Sequence, residues 1–256
     1  MLVVEFVGSG VGGNFMWPFG GRQTECPVEP DMQGWVDGRF AWLQEQFGED
    51  VPRTIQVMLP TPQFFPDAYG GRLEDAQAML NRIATHMGTP PERFALYLFK
   101  GEGAAGLYHR PRRSDNGGDA RAAIGIEESQ LTEPMSLVAT LAHEIGHELL
   151  LGQNRLQGDE QDHEPVTDLL TVFFGMGIFS GNAAFDDKAW SDGTFHHWRV
   201  KRQGYLNQTT FGYAMARFAF TRGEFAPKWM KHVRPDVRVH LKNGLKHLVE
   251  TRGSSR

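Results

Sequence analysis

Cysteine is nearly absent: Cys26 stands alone in 256 residues. This excludes an internal disulfide framework and any zinc or iron–sulfur site built from several thiolates. Long apolar runs are missing too. The longest, Leu169–Phe179 (LLTVFFGMGIF), is too short to cross a bilayer and reads as a buried core helix. The opening MLVVEFVGSG has no basic stretch, and Glu5 interrupts its short apolar run, so no secretory leader is expected. Internal repeats and low-complexity tracts are also lacking. These absences lead to the expectation of a soluble cytoplasmic protein with no membrane partner.

What is present is a globular composition, with 40% hydrophobic and 22% charged residues and a formal net charge of −5. Disordered, collagen-like and coiled-coil classes are excluded. Charge is unevenly placed. Residues 1–50 hold two basic against eight acidic side chains, and residues 221–256 hold nine basic against three acidic. The basic tail has the sign of a nucleic-acid contact. No nucleic-acid motif accompanies it, so a solvated helix face is the simpler reading and no nucleic-acid partner is expected.

Hydrophobic periodicity and chain breakers place strands at 2–7, 54–59, 94–100 and 122–128. A short extended piece is expected at 107–109, and a turn-rich loop at 110–121. Helices are expected at 31–47, 72–87, 133–151, 163–179, 208–222 and 236–250. The fold class is α+β. Residues 1–132 form a part with strands and two helices, and residues 133–256 a mainly helical part, as two domains or one.

Gly8, Gly10 and Gly13 spell a dinucleotide-binding fingerprint after a strand. That fingerprint works only where a helix starts at its last glycine and turns its N-terminus to the pyrophosphate. Residues 14–22 contain Pro18 and the Gly20–Gly21 pair and show no helical period. The glycines are read as a loop, with no cofactor bound there.

Residues 143–147 are His-Glu-Ile-Gly-His. On a helix, positions i and i+4 share one face, so both imidazoles reach one metal ion. Glu144 then lies beside the place of a bound water and can accept its proton. The helix is expected independently of the motif. Met135–Ala142 is apolar, Pro134 suits a first turn, and Thr132 is placed as the N-cap.

With Thr140, Leu141, Ile145, Gly146 and Leu149 around the pair, the segment resembles the zincin metallopeptidases. Glu148 departs from their pattern, which has an uncharged residue there; it is expected to reach solvent or to hydrogen-bond locally. Leu150 and Gln153 stand where metzincins continue with Gly and His, so that branch is excluded. The gluzincin branch takes a Glu from a following helix in an ExxxD arrangement. Residues 163–168, His-Glu-Pro-Val-Thr-Asp, are similar to it. The resemblance implies Glu164 as third ligand and Asp168 as the acceptor for the ring N–H of His143. Acidic groups at the start of a buried helix need partners, which is in keeping. His163 is the competing ligand, giving a three-histidine site, and Asp159 and Asp162 are further alternatives. The resemblance also implies peptide binding by strand addition to the strand upstream of the motif helix, here Ala122–Glu128. Arg110, Arg112, Arg113 and Arg121 in the preceding loop form an overhang or a solvated hairpin tip.

A hydrolytic zinc site usually adds an oxyanion donor. His196, His197, Tyr205 and Tyr213 are candidates; Tyr205, which follows Gly204 and precedes an apolar helix, is favoured. The expected protein is a zinc-dependent hydrolase, a peptidase acting on peptide or protein substrates. One zinc ion sits on His143, His147 and Glu164 inside a zincin-like fold, and Glu144 and Tyr205 are catalytic. The alternative is a metal-containing binding or regulatory protein without catalysis.

Overall fold

The computed structural model describes residues 24–101, 104–110, 121–184 and 206–254. The chain enters α1, Pro30–Phe47, with proline in the first turn, where its missing N–H costs nothing. This helix buries Val36, Phe40 and Leu43. A short turn of helix, α2 (Val51–Thr54), follows, and then α3 (Leu73–His86), which buries Leu80 and Ile83. Three strands, β1 (Phe94–Phe99), β2 (Gly106–His109) and β3 (Ala122–Glu127), form one sheet in the order β1-β3-β2. β1 runs parallel to β3, with Phe94 opposite Ala122, and β2 runs antiparallel to it, with Gly106 opposite Ile126. Among the described residues β3 is therefore central and β2 an edge. Beyond it the described chain is helical: α4 (Pro134–His147), α5 (His163–Phe173), α6 (Gly177–Ala183), α7 (Gln208–Thr221) and α8 (Pro235–Ser254).

α4 is the hub. It is buried from Leu137 to Ala142 and again from Glu144 to His147, and it packs against α3, α5, α6 and β2. Aromatic side chains close α1 onto α5, with Phe40 and Phe173 meeting edge-on at 5.5 Å between centroids. α7 and α8 lie close because Gly212 has no side chain; a Cβ there would stand 2.9 Å from the Leu241 amide nitrogen. Apolar residues from Val28 to Leu248 enter one core. The result is α+β with a helical majority.

Some expectations are corrected. Residues 54–59 are not a strand. Pro52 lies in the first turn of α2, and the segment after that helix lies along the end of α5, where Met58 N donates to Gly175 O at 3.0 Å. A helix end offers no ladder for a strand to join. The helix expected over 163–179 is two helices. Gly175 takes φ +73°, the left-handed closure that ends α5. The N-cap of α4 is Glu133; the Thr132 hydroxyl donates instead to Ser129 O at 2.8 Å. The strand expected at 2–7 and the Gly8–Gly13 fingerprint lie outside the described residues. No helix among the described residues is long and apolar enough to cross a membrane.

Candidate metal centre

His143 and His147 sit one turn apart on the last part of α4, which runs on into a π turn at Glu148–Gly152. α5 crosses closely at Gly146, where a Cβ would stand 2.9 Å from Thr167 Cγ2. This approach brings Glu164, in the first turn of α5, to the histidine pair. Its Oε2 is 3.0 Å from His143 Nε2 and 3.3 Å from His147 Nε2. One donor atom from each of the three residues lies within 4.8 Å of the others.

The far sides of the rings are tied back. Asp168, one turn after Glu164, accepts from His143 Nδ1 at 2.8 Å, and its second oxygen accepts from Leu206 N at 2.9 Å. His147 Nδ1 is 3.4 Å from Thr167 Oγ1, whose own proton goes to His163 O at 2.8 Å. The network thus assigns the Nδ1–H of each ring to a backward bond. Both Nε2 atoms then aim at one Glu164 oxygen, and the three donors could together hold one metal ion. Two imidazoles and a carboxylate are a donor set suited to zinc.

Charge in the cluster is set by burial and by its hydrogen bonds. Burial alone depresses His143, but hydrogen bonds to Asp168 and Glu164 outweigh it and hold the ring well above the ordinary imidazole value. Burial likewise raises Glu164, and the two histidines overrule it, holding the carboxyl well below the usual range. His147 is lowered, chiefly by burial.

Glu144, between the two histidines in sequence, is buried. Burial pushes its carboxyl up to about 7. It lies under β2, where Gly106 leaves the space it occupies.

The other candidates fall in different places. His163 faces the second Glu164 oxygen, Nε2 to Oε1 3.3 Å, while its Nδ1–H donates to Glu160 O at 2.9 Å. It stands beside the triad. Asp162 is engaged elsewhere: Arg39 grips both its oxygens at 2.7 Å, and Trp35 Nε1 donates to it at 2.8 Å. This clasp ties the start of α5 to α1. Asp159 is exposed. The Tyr213 hydroxyl is directed to Asp37 on α1, 3.2 Å away, which is a core contact. Tyr205, His196, His197, Arg112 and Arg113 lie outside the described residues. Arg110 reaches Gly152 O at 3.4 Å and the Asn154 side chain, and Arg121 is exposed.

Two readings are overturned. Ala122–Glu127 has a strand on each side, so no peptide can add to it; the edge over Glu144 is β2. Glu148 neither reaches solvent nor bonds locally. It is fully buried, its oxygens taken at 2.6 Å each by Arg93 Nε and by the Tyr108 hydroxyl. Burial, then the Glu148 carboxylate, raises the Tyr108 phenol far above its usual range, so it remains a donor. Sequence reasoning missed Arg93 and Tyr108. The one signal for them was a carboxylate followed by Leu149, Leu150 and Leu151, since a charge carried into the core must find partners.

Neither a family model, nor a curated protein, nor a solved structure matches the chain.

Proposed function

We propose that this chain is a metal-dependent hydrolase of gluzincin type, a peptidase with one zinc ion on His143, His147 and Glu164. The observation that carries the reading is the convergence of two Nε2 atoms on one Glu164 oxygen, at 3.0 and 3.3 Å. Zinc held there supplies Lewis acidity that brings a water's pKa toward neutrality. Glu144 takes the proton of the attacking water and passes it to the leaving amine. Burial raises its carboxyl above the ordinary value, which favours it as a base. Asp168 keeps His143 in the tautomer that presents Nε2. A peptide is the substrate class because β2, which lies over Glu144 and among the described residues is paired on one side alone, offers its backbone to an extended chain. With Cys26 its only thiol, the chain suits the cytoplasm.

The test is metal content by mass spectrometry on purified, dialysed protein, beside Glu164→Gln and Glu144→Gln. Wild type and Glu144→Gln should hold close to one zinc per chain, and Glu164→Gln a small fraction of that. Glu144→Gln should lose cleavage of an unstructured polypeptide by about 10²–10⁴-fold. Zinc retained in Glu164→Gln moves the third ligand to His163. A wild type that takes up no metal, even with zinc added, refutes the reading. Bound zinc without cleavage favours a metal-containing binding protein.

A further inference from the structure

We infer that Glu148, Tyr108 and Arg93 form a positioning device that sets the ring of His147 for the ion; this rests on the metal reading above. The two histidines are held unequally. His143 has a 2.8 Å hydrogen bond from Nδ1 to the Asp168 carboxylate. His147 has only a long contact, its Nδ1–H to the Thr167 hydroxyl oxygen at 3.4 Å. Hydrogen bonding therefore orients His147 weakly, and packing must supply the rest. The packing partner is Tyr108, whose ring stacks on His147 with centroids 5.8 Å apart and planes 30° apart. His143 closes a second side edge-on at 4.7 Å.

Tyr108 is fixed in turn by Glu148, the residue directly after His147. The π turn that starts there widens the helix. The Glu148 side chain is wholly buried, and Tyr108 and Arg93 each take one oxygen at 2.6 Å. Tyr108 comes from β2 and Arg93 from the residue before β1. The carboxylate thus pins β2 and the turn leading into β1 to the segment behind the ligand. Gly152 keeps the space open. A Cβ there would collide with the Glu148 carboxylate and stand 2.7 Å from the Tyr108 hydroxyl oxygen. The charge that departs from the zincin pattern therefore locks the aromatic wall against which His147 rests. Supporting contacts of this kind govern both ligand orientation and affinity.

The experiment uses the full chain as Tyr108→Phe, Tyr108→Leu and Glu148→Gln. Zinc affinity is read by competition with a chromophoric chelator, the visible absorption bands of bound cobalt(II) report ligand geometry, and melting of the metal-free protein is the folding control. Tyr108→Leu should bind zinc about 10–100-fold more weakly and shift the cobalt bands while still melting cooperatively. Tyr108→Phe, which keeps the stacked ring, should lose less, and Glu148→Gln should fall with the two. Variants that fold and match wild type in zinc affinity and cobalt spectrum overturn the positioning role. Should Glu148→Gln fail to fold, the order of zinc affinities, wild type above Tyr108→Phe above Tyr108→Leu, still decides. A wild type that takes up neither ion overturns the metal reading itself, a separate outcome.

Discussion

A Cβ added at Gly106 would lie 2.5 Å from Oε1 of Glu144 and 2.6 Å from Cγ2 of Thr140. No side chain fits there without moving β2 or the carboxylate. Gly106→Ala should therefore lower cleavage of a peptide substrate about 100-fold, the scale of an ångström-sized misplacement, and leave zinc content unchanged. Undiminished cleavage with normal zinc would show that Glu144 does not depend on this strand. At this scale the juxtaposition of His143 with His147, and of Glu164 with Asp168, was legible from a helical period that needs no tertiary knowledge, while the roles expected of Glu164 and Asp168 came from the resemblance. Tyr108 and Arg93 stand 40 and 55 residues before their partner Glu148. Only the sheet brings them there, and no local pattern announces it.

Between elements, the end of α3 is joined to the end of α5 by His86, whose Nε2–H donates to Phe174 O at 2.9 Å. A carbonyl left over at a helix end is satisfied in this way. Burial lowers the His86 pKa, against a smaller opposing pull from that carbonyl. With its folded pKa depressed, the unfolded chain binds the proton first, so stability is lost as pH falls below about 6.5. Urea midpoints at pH 7.5 and 5.5 should show a larger drop for wild type than for His86→Gln, which keeps a donor but does not titrate; equal drops would refute this. Elements with clean periods, such as α3 and β1, were legible within a residue or two. Residues 54–59 misled because alternating Ile55, Val57 and Leu59 look like a strand wherever a ladder is within reach. The apolar run across Gly175 hid a helix end, since burial on both sides erases the period that would have marked it.

At the scale of the molecule, the donor set joins α4 to α5, and α5 is itself clasped to α1 by Arg39 on Asp162. An ion that binds only this assembled arrangement stabilises the whole fold. Zinc at a hundred times its dissociation constant should add about 2.7 kcal/mol. The melting temperature should rise by several degrees and return on chelation. A melting temperature indifferent to zinc would mean that the ion bridges nothing. The merging of both halves of the chain into one core was not legible, because periodicity shows which face is apolar and not what covers it. β2 carries both Gly106 and Tyr108, yet among the described residues it pairs with β3 alone, across the stretch from Gly106 to His109. Native-state fluctuations lift such marginal pieces long before a protein unfolds globally. The order around Glu144 and His147 is therefore capped by the free energy of local opening at one short edge strand, however stable the rest of the molecule is.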